Sequence, residues 1–102
     1  MQQHAFRELT VLRDCYDGRL TGLSDPDRLE LRRVAGEYGT DPAARLGLPA
    51  GPPRPELHHR AVTRLAHWAA MTADPAPCGP DRRACQVLRR SLERLVGDLA
   101  SP

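Results

Sequence analysis

Cys85-Gln86-Val87-Leu88-Arg89-Arg90-Ser91-Leu92-Glu93-Arg94-Leu95-Val96-Gly97-Asp98-Leu99 carries its apolar residues at alternating steps of three and four. Cys85, Leu88, Leu92, Leu95 and Leu99 therefore fall on one stripe of a 3.6-residue helix, the a/d pattern of a packed helical seam. The helix opens at Pro80-Asp81 and runs to about Leu99. Gly97 costs up to about 1 kcal/mol against alanine, so the last turn is expected to fray. Such a seam serves the core of one chain or the interface of two equally well.

Upstream, the spacing predicts a helix from about Glu56 to Thr72. His58, Ala61, Leu65, Trp68 and Thr72 make its core stripe, and Arg60, Arg64, His67 and Met71 its opposite face. Before it, Pro49-Ala50-Gly51-Pro52-Pro53-Arg54-Pro55 holds four prolines in seven positions. Helix and strand interiors both reject that density, so the stretch reads as a stiff, polyproline-like connector.

The N-terminal half supplies two more helices. From about Gln3 to Asp17, Ala5, Leu9, Leu12 and Tyr16 share a face widened by Phe6 and Cys15, and Gly18 suits the C′ position. A second helix starts at Ser24-Asp25-Pro26-Asp27 with capping-box spacing and a tolerated early proline. Its buried stripe is Leu31, Val34 and Tyr38, its end is Gly39, and Glu30, Arg33 and Glu37 share a face where they can pair. A short turn over residues 41–46 closes at Gly47. The expected fold is all-α: a small bundle of four helices, or the same helices intertwined in a homodimer. One domain is expected over 1–102: a helical hairpin over 1–47, the proline-rich connector over 48–55 and a second hairpin over 56–100.

The chain has no lysine, isoleucine or asparagine, and all 15 of its basic residues are arginine. The codons of the missing residues are AT-rich, which points to a GC-rich genome such as that of an actinobacterium. Arginine richness is therefore a weak signal for nucleic acid. The net charge of +2 is mild, with −1 over residues 1–50 and +3 over 51–102. No apolar run approaches the ~18 residues of a membrane span, and the start lacks a signal-peptide pattern. A cytoplasmic protein with no membrane partner is the expectation. Three cysteines, an odd number, argue against a disulfide framework.

Candidate chemistry gathers on the last two helices. His59 and His67 are acid/base candidates, because a nearby guanidinium lowers an imidazole pKa and favours the neutral base. Arg60, Arg64 and His58 could hold an anionic ligand. Glu56-x-x-His59 has metal-ligand spacing, but a di-iron bundle needs two such motifs and two further glutamates, so neither metal nor cofactor is expected. Arg83, Arg90 and Arg94 line one face of the last helix and are candidate partner contacts. Cys78 is the cysteine expected to be exposed.

Ala5-Phe6-Arg7-Glu8-Leu9 through Leu12-Arg13-Asp14, and Ala44-Arg45-Leu46-Gly47-Leu48-Pro49 with Leu57-His58, resemble fragments of the helix-turn-helix in sigma-factor region 4. Pro52, Pro53 and Pro55 stand where that family's recognition helix would start, and the fragments lie some twenty residues too far apart. No function is carried over.

Three functions fit the residues. The favoured one is an accessory or regulatory binding protein, homodimeric, that recognises a protein or peptide. The second is a small tailoring enzyme for secondary metabolites or peptides using His/Arg acid–base chemistry. The third is nucleic-acid binding through the arginines of the last helix, which is less favoured.

Overall fold

The computed structural model describes residues 3–49 and 51–100, with side chains from Arg7 onward. Five helices follow in order: α1 Gln3–Tyr16, α2 Asp25–Val34, α3 Pro42–Arg45, α4 Arg54–Ala73 and α5 Pro80–Ala100. No strand occurs among the described residues. The all-α expectation holds, with the short turn at 41–46 adding a one-turn helix. Among the described residues, no helix is long and apolar enough to cross a membrane.

Helix α5 is the spine. Cys85, Leu88, Leu92, Leu95 and Leu99 are all buried inside the one chain, together with Ala84 and Ser91. The whole seam is thus used in the chain's own core. Helix α4 lies antiparallel to α5 and contributes Ala61 and Trp68, both fully buried. Helices α1 and α2 also rest on α5. Loop residues complete the core: Leu20 and Leu23 between α1 and α2, and Leu46 after α3. Each buried leucine is worth roughly 1.5–3 kcal/mol.

Three helix ends use the same device. After α1, α2 and α3 a glycine takes positive φ (Gly18 +74°, Gly36 +93°, Gly47 +71°), and the next amide reaches back to the helix. This Schellman geometry satisfies carbonyls that the last turn leaves unpaired. Gly18 and Gly47 act as expected. Helix α2, however, stops at Gly36, not Gly39, so Tyr38 lies beyond the helix and is 52 % exposed. At the other end of α2, the Ser24 hydroxyl caps the Asp27 amide at 3.2 Å.

Helix α1 is turned from its expected face. Leu9 and Tyr16 are each 62 % exposed, whereas Val11 and Asp14 are buried and Leu12 and Cys15 half-buried. The expected places of Ala5 and Phe6 concern side chains outside the described residues. The connector is shorter than its prolines suggested. Helix α4 begins at Arg54, with Pro53 as N-cap and Pro55 in the first turn, where no amide donor is needed.

Much of the arginine is structural. Arg54 donates from Nε to the Leu99 carbonyl (3.0 Å) and from a terminal nitrogen to that of Asp98 (2.5 Å), capping α5. Arg82 donates to the carbonyls of Thr72, Asp74 and Pro77 and ties the α4–α5 loop. Arg45 donates to Val34 O at 2.8 Å and to Glu8 at 3.3 Å, and Glu8 also accepts from Ser91 at 2.7 Å. That network joins α1, α2, α3 and α5.

Candidate functional site

Two places collect the chemistry. The first lies between α2 and α4, which run antiparallel there. Glu30 accepts two hydrogen bonds from Arg64, at 2.6 Å from Nε and 2.5 Å from a terminal nitrogen. It also accepts from Trp68 Nε1 at 3.0 Å. One turn away, His67 Nε2 sits 2.9 Å from Asp27 Oδ1, and its ring stands edge-on to Trp68 with centroids 5.5 Å apart. Both carboxylates are largely buried. The bidentate bond to Glu30 raises the Arg64 pKa, against the opposing effect of burial, with the charges of Glu30 and Asp27 adding to the rise.

Arg64 and His67 therefore do not line an outer face opposite the core. They point into α2, and Glu30 turns to Arg64 while Glu37 pairs with Arg32 at 2.7 Å. Asp27, Glu30 and His67 each offer a ligand atom within 4.8 Å of the others. Glu30, however, already receives three donors, two of them from a cation, so a metal would have to displace Arg64. The chemistry of the donor set is that of a closed ion-pair network.

The remaining candidates on α4 are not drawn into this network. His59 and Arg60 are exposed and His58 is half-buried. His59 lies eight residues from His67, about 12 Å along the helix axis, so the two imidazoles do not converge. The exposed thiol is Cys78 and all three cysteines are free. Burial, reinforced by the charges of Asp81 and Asp27, pushes the Cys85 thiol up to about 11. At neutral pH it is a protonated core residue, not a nucleophile.

The second place is a half-open groove of about 490 Å³ between α1 and α5. Arg7, Thr10 and Val11 line it from α1, and Arg83, Gln86, Val87 and Arg90 from α5. The two helices run antiparallel, since Glu8 meets Ser91 while Asp14 meets Arg83. Val11 and Val87 give the groove an apolar floor, and the three arginines give it a basic rim. Asp14, 5 % exposed, lies 3.9 Å from Arg83 and 3.9 Å from Arg19 and offsets part of that charge. Arg7 and Arg90 form no ion pair among the described residues. Gln86 and Arg90 also border a smaller depression of about 250 Å³ with Arg89 and Glu93.

The structure thus brings together Arg83 and Arg90 of the expected partner face. Arg94 is exposed on α5 outside the groove. Arg7, Val11 and Val87 were missed by the sequence reading. Their signal was present in the step from Arg7 to Thr10 and Val11, but the stronger-looking stripe of Leu9 and Tyr16 obscured it.

No protein-family model matches the chain, and no solved structure matches it. Two curated relatives are similar to it, the isoniazid-induced protein IniC of Mycobacterium tuberculosis strain CDC 1551 / Oshkosh and that of strain ATCC 25618 / H37Rv. Each is 37 % identical over 98 residues, which is 96 % of this chain and 20 % of the relative. The chain spans about a fifth of the length of these relatives.

Proposed function

We propose that the chain is a helical binding module that docks a protein partner through the α1–α5 groove. One observation carries this reading: a half-open concavity with an apolar floor whose rim arginines Arg7 and Arg90 lack an acidic partner among the described residues. Concave apolar sites with a few convergent polar groups are the usual places for recognition, and arginine is enriched at interfaces. The acid–base alternative has less behind it, because His67 is held by Asp27 and lies far along α4 from His59.

The test is site-specific photo-crosslinking in the native host, with the photoreactive residue at position 86 in the groove or at position 60 on α4. A discrete protein adduct from position 86, absent from position 60 and lost in the Arg90→Glu background, is the expected result. Identical adducts from both positions, or none from position 86, would rule the groove out as a docking site.

A further inference from the structure

The groove constrains the chemistry of what enters it, and this step rests on the docking role proposed above. Arg83 and Arg90 are seven residues apart, so they stand on nearly the same side of α5 about 10 Å apart along its axis. Val87 lies between them, and Val11 faces it from α1. Arg7 reaches the same space from the opposite wall. The order along the groove is therefore cation, apolar floor, cation, with a third cation across.

A rod that matches this pattern carries two anions about two helical turns apart and an apolar side chain between them. An amphipathic α-helix with acidic residues at positions i and i+7 and a leucine-like residue at i+3 or i+4 has that spacing on one face. The groove is open along one side, so it receives side chains projecting from a neighbouring helix without having to enclose the helix itself. We infer that the occupant is an acidic amphipathic helix of a protein partner, its two carboxylates on Arg83 and Arg90 and its apolar residue on Val11 and Val87.

The observations favour this occupant over nucleic acid. Duplex DNA carries a charge every ~1.7 Å of its axis and is met by dense basic stripes. Here three arginines are spread over the groove, and an acid, Asp14, stands beside Arg83. The valine floor has no counterpart in a phosphate backbone. Arginine is also suited to bidentate capture of carboxylates, which gives geometric selectivity as well as affinity.

The test uses the whole chain and labelled probes read by fluorescence anisotropy, three against the natural chain and a fourth, a lysine peptide, against the charge-reversed one. The first is a synthetic helical peptide of about five turns with glutamates seven residues apart and leucine between them. The second replaces those glutamates by glutamine, and the third is a short DNA duplex. The acidic peptide should bind, and the glutamine peptide at least ~10-fold more weakly, a loss of about 1.4 kcal/mol. Arg90→Glu, a change at an exposed position, should weaken the acidic peptide by a similar factor. A peptide with lysine in place of glutamate should regain binding to the Arg83→Glu/Arg90→Glu chain. Circular dichroism of each variant checks that the helices are retained.

Equal binding of the acidic and glutamine peptides, abolished by filling the groove with Gln86→Trp, would overturn the acidic-helix inference and leave the docking role standing. No binding of either peptide, or binding indifferent to both Gln86→Trp and Arg90→Glu, would overturn both. DNA bound more tightly than the acidic peptide, with the same sensitivity to Arg90→Glu, would overturn the inference in favour of a nucleic-acid site.

Discussion

Replacing Glu30 by glutamine should remove about 2 kcal/mol of stability, after allowance for partial exposure of the pair. Glu30 holds three donors, two from Arg64 and one from the fully buried Trp68. Glutamine keeps one oxygen, which can still accept from Trp68. Its amide nitrogen, however, must face an Arg64 nitrogen that is itself a donor, and the charge pair is gone. Hydrogen bonds to charged groups contribute about 1.5–3 kcal/mol each where water is excluded. Here the Arg64 side chain is 24 % exposed and that of Glu30 15 %, so water recovers part of the loss. The corresponding fall in melting temperature for a chain of this size is roughly 8–16 °C. Trp68 is the only tryptophan in the chain, so its fluorescence reports both urea unfolding and the state of this network. A double-mutant cycle with Arg64→Met should give a coupling of at least ~1 kcal/mol. A change in stability under about 0.5 kcal/mol for Glu30→Gln, the range of ordinary surface substitutions, would refute a stabilising α2–α4 clamp.

Alkaline pH offers a second check. The unfolded Cys85 thiol ionises before the buried one, whose pKa is pushed up to about 11. Its contribution is therefore fully present at neutral pH and is lost as pH rises from about 9 to 11, by roughly 2–3 kcal/mol. The chain has no lysine, so that class of group adds nothing in this window; Cys85→Ala should lessen the pH dependence, and parallel curves for the two proteins would contradict the assignment. Gly36→Ala places a side chain at φ +93° and should cost about 1–2 kcal/mol by thermal denaturation. Gly97→Ala meets nothing within 4 Å on a helix and should stabilise by about 0.5–1 kcal/mol. Arg54→Ala removes the donors to the Asp98 and Leu99 carbonyls, and amide hydrogen exchange in the last turn of α5 should quicken with about 1 kcal/mol less protection.

The α5 seam, the proline-marked break and the glycine stops after α1 and α3 were all legible in the sequence, because each is local. A 3–4 repeat defines a helix face whatever packs on it, and a glycine permits positive φ regardless of context. The end of α2 shows where local signals compete. Gly36 and Gly39 both permit a stop, and only the Schellman bonds formed at Gly36 decide between them. The facing of α1 was not legible for a related reason. A face centred on Leu9 and Tyr16 and one centred on Val11 and Cys15 are both plausible, with Leu12 at the edge of either, and the choice depends on where α5 lies.

The sequence by itself determined that this chain is helical, where its strongest buried face runs and which residue types it has for recognition. Tertiary structure decided what each charged residue does. Arg64 and Arg90 look alike along the chain, each an arginine on a long helix. Packing α2 against α4 gives Arg64 a carboxylate in a partly dry interface, while α1 laid on α5 leaves Arg90 at the rim of a groove. Electrostatic roles depend on partners tens of residues away and on exclusion of water. Neither quantity is encoded in local periodicity.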